Sequence, residues 1–289
     1  MSAVAAPAHP RRRARFPVLR RLARNRFAAA GIVVVSLIAL AALLAPVLPI
    51  ADPNAIDLGA RLQGVGTAGH PLGTDPLGRD MLSRLLWGGR VSLTVGVVST
   101  AFAAVVGSSI GLLAGFFHRL DNPLMRAIDV LMAFPYLLFA LALVAFLGPG
   151  LFKAMIAIAV VNVPFFARAV RGATLSVSSN EYVKAASILG LSRLRVLLSE
   201  VTPNVAYTIL VTVSTTIGWM ITETAGLSFL GLGAQPPTAD WGTMLGAGRD
   251  QLTLAPHVTI VPGVAIFLVV ISLNFIGDGL RDALDPRLK

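Results

Sequence analysis

The 289-residue chain has no cysteine, which excludes a disulfide framework, a thiolate nucleophile and any cysteine-ligated metal site. Charge is scarce as well. Asp, Glu, Lys and Arg make up 13% of the residues, where a soluble globular domain carries about a quarter. Lysine is almost missing: Lys153, Lys184 and Lys289 are the whole set, and none precedes Ser or Thr. No Gly-Lys-Ser/Thr phosphate loop can form, so any dependence on ATP must come from a partner. The four histidines, His9, His70, His118 and His257, avoid the middle of the apolar runs. Without Cys, and without a His set beside a Ser or carboxylates, neither a nucleophile–base pair nor a metal hydrolase can be assembled. The chain is therefore read as a non-enzyme with no catalytic residues, no cofactor and no metal.

What is abundant is apolar. Hydrophobic residues reach 55% and the mean hydropathy is +0.78, the reverse of a disordered composition. The fold class is an all-α membrane protein. A bilayer core about 30 Å thick takes roughly 20 apolar residues per helix, and six runs qualify: 27–50, 91–117, 127–147, 152–170, 205–222 and 257–277. Gly148-Pro149-Gly150 between the third and fourth reads as a tight turn. Small residues in the second run, among them Gly96, Gly111 and Gly115, either let helix backbones approach closely or are tolerated singly.

Six crossings put both termini on one side. If that side is the cytoplasm, segments 1–26, 118–126, 168–204 and 278–289 hold 18 of the 24 Lys and Arg residues, so the positive-inside bias predicts N-in, C-in topology. Membrane lipid accounts for the basic excess, and nucleic acid is not expected as a partner. The tail has eight Arg from Arg11 to Arg26 and no acid. Its following run exceeds a signal-peptide core, which reads as an uncleaved signal anchor; residues 1–10 are expected to be disordered. The organisation is a basic cytoplasmic tail (1–26), a six-helix domain (27–277) with a cytoplasmic loop at about 171–204, and a cytoplasmic C-terminal tail (278–289).

Three connecting segments carry further signal. Gly73-Thr74-Asp75-Pro76-Leu77-Gly78-Arg79-Asp80 is turn chemistry, and Arg79 between its two carboxylates argues against a cation site. Met81, Leu82, Leu85 and Leu86 then predict a short interfacial helix leading to Trp87 and the second crossing. Segment 223–256 is too long for a simple connector. It reads as re-entrant or interfacial, with Trp241 as a headgroup-level anchor. Such a segment either gates the outer mouth or seats a partner, or merely packs on helix ends.

The loop after the fourth crossing is the most informative. Ser178 and Glu181 are spaced as a capping box, and Gly190 sits where the helix they start would end. A second helix offers Leu194, Leu197, Leu198 and Val201 on one face, with Pro203 marking its stop. Two such helices could rest on lipid, but the pair Ala185-Ala186 buries little area and suits the close approach of another protein's surface.

Lys184-Ala185-Ala186, then Gly190, then Pro203 thirteen residues on, resembles the EAA loop of ABC-type importer permeases. Glu181-Tyr182-Val183 and Pro203-Asn204 are similar to the dipeptide/oligopeptide/nickel class, as its C-type membrane subunit. So are Gly73-Thr74-Asp75 with Gly78-Arg79-Asp80, Leu227-Ser228-Phe229-Leu230-Gly231-Leu232-Gly233, and the closing stretch Gly277 to Pro286. Lys184 stands where the general pattern has Glu, and Glu200 and Thr202 replace apolar residues before the Pro. The resemblance implies a peptide-class permease working with a second, homologous permease subunit, two ATP-binding subunits and an extracytoplasmic substrate-binding protein. It implies that Glu181, Tyr182, Lys184, Ala185, Ala186, Gly190 and Pro203 dock the ATPase; it names no substrate-binding residue. The rival is an ion-coupled secondary transporter. That rival wants ionisable groups at the midplane, whereas Asp129, Lys153, Arg168 and Glu223 all fall near predicted helix ends.

Overall fold

The computed structural model describes Leu22 and residues 25–284. The Arg-rich tail up to Arg24, apart from Leu22, and the closing Asp285-Pro286 lie outside the described residues. The described chain is helical, with isolated bridges at Thr67–His70 and Thr74–Asp80 in place of any strand. Its helices are α1 (Arg26–Leu44), α2 (Met81–Phe116), α3 (His118–Met132), α4 (Tyr136–Leu147), α5 (Leu151–Ser178), α6 (Glu181–Ile188), α7 (Arg193–Phe229), α8 (Trp241–Gly248) and α9 (His257–Leu284).

Five of these, α1, α2, α5, α7 and α9, are long and apolar enough to cross a membrane. The sixth crossing is broken. Helices α3 and α4 meet at 86° around residues 133–135, instead of forming the straight helix expected over 127–147. The physical cause is Pro135. A proline drives the residue before it out of helical geometry, and Pro135 serves as the N-cap of α4. The two halves also differ in character: α3 carries Arg119, Asp121, Arg126 and Asp129, whereas α4 is apolar all round.

Helices α2 and α5 form the centre of the bundle, and glycine sets their separation. A Cβ on Gly107 would lie 2.6 Å from the Val163 carbonyl oxygen, one on Gly111 2.6 Å from that of Ala167, and one on Gly115 2.9 Å from that of Arg171. The small residues are thus required for contact between the two backbones. Helix α2 starts directly at Met81, so the separate interfacial helix expected before Trp87 is its first turns.

The segment ahead of α2 is a knot of polar contacts. Gly73 and Gly78 have φ of 78° and 75°, and both abut neighbouring backbone or side-chain atoms that leave no room for a Cβ. The buried Asp75 carboxylate accepts from the Leu77 and Arg79 amides at 2.8 and 3.0 Å and from Arg79 Nε at 2.6 Å. Asp80 caps α2 through the Ser83 amide at 2.7 Å and meets His70 Nδ1 at 2.9 Å. This is the expected turn chemistry.

The first residues of the expected outer segment 223–256 belong to α7. Helix α7 runs to Phe229 and stops in a Schellman motif, with Gly231 at φ 79° and the Leu232 amide on the Leu227 carbonyl at 2.9 Å. The chain then enters α8, capped by Asp240, whose carboxylate accepts the Gly242 amide at 2.8 Å. Burial pushes the Asp240 carboxyl upward, and hydrogen bonds from Gly242 and Thr243 oppose it. Trp241 is no headgroup anchor. It is buried beside Gly88 and Gly89 of α2, with its indole N–H donating to the Leu85 carbonyl at 2.9 Å. Trp241→Phe removes that donor and part of the packing, and a loss of about 1–2 kcal/mol is expected. Thermal unfolding of the purified protein in detergent measures it.

Candidate functional site

Helix α6 lies between two turns and is held against the bundle by one apolar face. Val183 and Ala186 are buried against Val170 of α5 and Val196, Leu197, Val201 and Val205 of α7. Its N-cap is Asn180, not Ser178, and no capping box forms; the Ser178 hydroxyl is buried without a hydrogen-bond partner. The C-terminal end matches the sequence reading. Gly190 has φ 85°, its amide donates to the Ser187 carbonyl at 3.2 Å, and the Leu191 amide donates to that of Ala186 at 3.4 Å. That is a Schellman motif with glycine at C′, the position where a left-handed residue is needed.

The expected docking residues divide. Glu181, Tyr182, Lys184 and Ala185 are exposed along α6, and Gly190 is exposed just past its end. Ala186 faces inward and fixes the helix to the bundle. Pro203 is exposed but stops nothing: the chain is helical from Arg193 to Phe229. The helix accommodates the missing Pro203 N–H by widening to π geometry over Leu197–Val201. The Thr202 hydroxyl covers the Leu197 carbonyl at 2.8 Å, and the Asn204 amide that of Glu200 at 2.6 Å. This turn also shifts the register. Leu197 and Val201 are buried, whereas Leu194 and Leu198, expected on the same face, are exposed.

Two exposed residues were not singled out by the sequence reading. Ile188 and Leu189, at the tip of α6, are 86% and 82% exposed. Tyr182, Leu194 and Leu198 are exposed apolar side chains of the same segment, and Lys184, Arg193 and Arg195 are exposed charges within it. An apolar run ending in a Gly C-cap was the only signal for Ile188 and Leu189, and it reads equally well as a buried helix end.

A second feature opens on the side of the bundle. At the α3–α4 break, a cleft of about 590 Å³ opens between that break, α5 and α7. It is largely apolar, with Tyr136, Asn162, Thr215, Thr216 and Trp219 as its polar lining. Asn162 Nδ2 donates to the Ile158 carbonyl at 2.9 Å and to the Tyr136 hydroxyl at 3.0 Å. Two ion pairs tie α3 to α5: Asp121 forks with Arg171 at 2.5 and 2.6 Å, and Asp129 meets Arg168 at 2.5 Å. Asp129 and Arg168, read from sequence as separate groups at helix ends, therefore answer each other.

Comparison with known proteins places this geometry. Residues 107–289 match the family described as binding-protein-dependent transport system inner membrane component. Residues 17–64 match the N-terminal TM domain of oligopeptide transport permease C. The chain is 44% identical over 272 residues to a glutathione transport system permease protein of Pectobacterium atrosepticum, covering 93% of this chain and 90% of that one. It is 41% identical over 271 residues to a dipeptide transport system permease protein of Alkalihalophilus pseudofirmus, covering 93% and 89%. A di/tripeptide transport system permease protein of Pseudomonas aeruginosa is 43% identical over 274 residues, with 92% and 90% covered. In fold, the chain is similar to the MetNI methionine ABC transporter in its inward-facing conformations, at a TM-score of 0.59 and 19% identity over 71% of this chain and 98% of that one. The rival reading as an ion-coupled carrier finds no support among these. The family match covers the end of α2, all of α5, the α6 surface and the cleft, and the chain belongs to the binding-protein-dependent transport system inner membrane components, as a multi-pass permease subunit of an ABC transporter.

Proposed function

We propose that this chain is one of two permease subunits of an ATP-driven importer for di- or oligopeptides, and that it couples to cytoplasmic ATPases through α6. The observation that carries the reading is the form of α6: a short helix with one face buried and the other exposed, ending in bare Ile188 and Leu189. Exposed large apolar side chains grouped on a polar rim mark a partner surface. Glu181, Tyr182, Lys184, Ala185 and Gly190 belong to that surface, Ala186 anchors it, and Pro203 sits at its base on α7. The chain lacks a phosphate-binding loop, which is consistent with ATP hydrolysis by a partner.

The peptide class follows from relatives whose names specify dipeptide, di/tripeptide and glutathione transport. A homologous second permease and an extracytoplasmic binding protein complete the assembly. Both termini lie in the cytoplasm, supported by the concentration of Lys and Arg in 1–26, 168–204 and 278–289. Within that frame, 1–26 and 278–289 are cytoplasmic tails, 27–277 is the membrane domain, and the coupling loop spans about 171–204.

The test is co-purification in mild detergent of the chain carrying Tyr182→Asp and Leu189→Asp. Both side chains are exposed, so the bundle is expected to insert and fold as before. Recovery of ATPase subunits is expected to fall at least tenfold, the size of about 1.4 kcal/mol at the interface. Undiminished recovery would show that α6 is not the docking element.

A further inference from the structure

The cleft at the α3–α4 break has a polar side, and one helical turn beyond it on α7 stands a carboxylate without a basic partner among the described residues. The Tyr136 hydroxyl takes a hydrogen bond from Asn162 at 3.0 Å, and Glu223, one helical turn beyond the cleft-lining Trp219 on α7, is close enough to Tyr136 for the two groups to interact electrostatically. Asn162 is buried and Glu223 half-buried. Among the described residues, Asp75 meets Arg79, Asp80 meets His70, Asp121 meets Arg171 and Asp240 caps α8, while the half-buried Glu200 takes the Ser199 hydroxyl. Glu223 belongs to no such ion pair. A carboxylate on a membrane-spanning helix is costly, and it is retained where a cation passes or binds.

The surroundings point the same way. Non-helical backbone at membrane depth, such as residues 133–135, is tolerated where it is buried in protein or lines a water-filled cavity, and this break lines the cleft. Broken helices that frame a site in mid-bilayer are how transport proteins present polar groups to solutes. At about 590 Å³ the cleft is of the size that takes a small organic solute. Its wall of Phe134, Phe165 and Trp219 offers side chains apolar contact and leaves the carboxylate to orient a charged end. Dipeptides, tripeptides and glutathione all carry a protonated amine, which Glu223 complements.

We propose that Glu223, with Tyr136 beside it, is the station in the translocation path that receives the ammonium group of the passing peptide. This rests on the proposed peptide-importer function. Glu223 and Tyr136 are then specificity-determining residues of a step that follows delivery by the binding protein.

The experiment uses the complete importer in proteoliposomes, with binding protein saturated by one of two probes: a dipeptide, or its des-amino analogue in which hydrogen replaces the amine. Uptake per ATP hydrolysed is compared among wild type, Glu223→Gln, Glu223→Asp and Tyr136→Phe. Glu223→Gln is expected to lower dipeptide uptake per ATP about tenfold while leaving that of the des-amino analogue within twofold of wild type. Glu223→Asp restores at least half of the dipeptide uptake, and Tyr136→Phe falls between. Equal uptake of the dipeptide by wild type and Glu223→Gln overturns the assignment and leaves the importer reading standing. A parallel loss of both probes, or reduced recovery of the second permease with Glu223→Gln, also overturns it, since the carboxylate would then be supporting the fold or the subunit contact. A wild-type assembly that moves neither probe overturns the importer reading itself, and this assignment with it.

Discussion

Replacing Gly111 with leucine is expected to separate α2 from α5 and leave little folded protein in detergent. A Cβ at this position would stand 2.6 Å from the Ala167 carbonyl oxygen and 2.9 Å from the Arg171 amide nitrogen. Both are backbone atoms of a helix, which cannot swing aside as a side chain does. Overpacking a core costs about 1–3 kcal/mol where side chains absorb the strain; here they cannot, so about 3 kcal/mol or more is expected. Gly107 and Gly115 make the same approach one turn to either side, which spreads any shift along the contact. Gly172→Leu is the control. That glycine lies on α5 itself, and nothing would come within 4 Å of its Cβ. Monodispersity by size-exclusion chromatography and the melting temperature in detergent separate the two variants. Equal melting of both would show that backbone contact is not what holds this pair.

Close contact of this kind explains why part of the fold was readable in the sequence. Five of six crossings show as long apolar runs because a bilayer demands that composition whatever the packing. The glycine spacing in α2 was visible, but a glycine tolerated in lipid looks the same as one that touches a partner helix. The choice needed α5 beside it. The broken crossing was hidden because residues 127–147 are apolar on average and one Pro135 within them is common in membrane helices. What the run does not report is that two of the four charged side chains on α3, Asp121 and Asp129, pair with Arg171 and Arg168 of α5. Trp241 was misplaced for a related reason: tryptophan suits a headgroup region and a glycine-lined slot equally, and Gly88 and Gly89 provide the slot from about 150 residues away.

The candidate site was legible in its position and less so in its faces. The positions Glu181, Tyr182, Lys184 and Ala185 follow from the family pattern, and the structure exposes all four. The split of the next helix does not, since helical spacing assumes 3.6 residues per turn and the π turn at Leu197–Val201 breaks that count just where Pro203 removes a donor. The cleft left only Asn162, a polar residue within an apolar run, as its trace.

Gly190→Val is expected to abolish coupled transport while leaving the protein in the membrane. The position has φ 85°, and nothing lies within 4 Å of where a Cβ would stand, so sterics with neighbours play no part. The whole effect comes through the backbone. A left-handed conformation costs an L-residue about 1–2 kcal/mol, and a β-branched side chain there is a genuine outlier. To relieve it, the turn must leave the left-handed region and surrender the amide bonds from Gly190 to Ser187 and from Leu191 to Ala186. Ile188 and Leu189 sit inside that turn and would be re-aimed with it. The anchor formed by Val183, Val196 and Val201 lies outside it, so insertion and bundle packing are expected to persist. In reconstituted vesicles, substrate uptake is expected to fall at least tenfold while the ATPase subunits continue to hydrolyse ATP. Gly190→Asn separates geometry from mobility, because asparagine adopts the left-handed region far more readily; it should retain most of the uptake. Normal uptake by the valine variant would remove α6 from the coupling path, and failure of both variants alike would assign the role of Gly190 to something other than its φ angle.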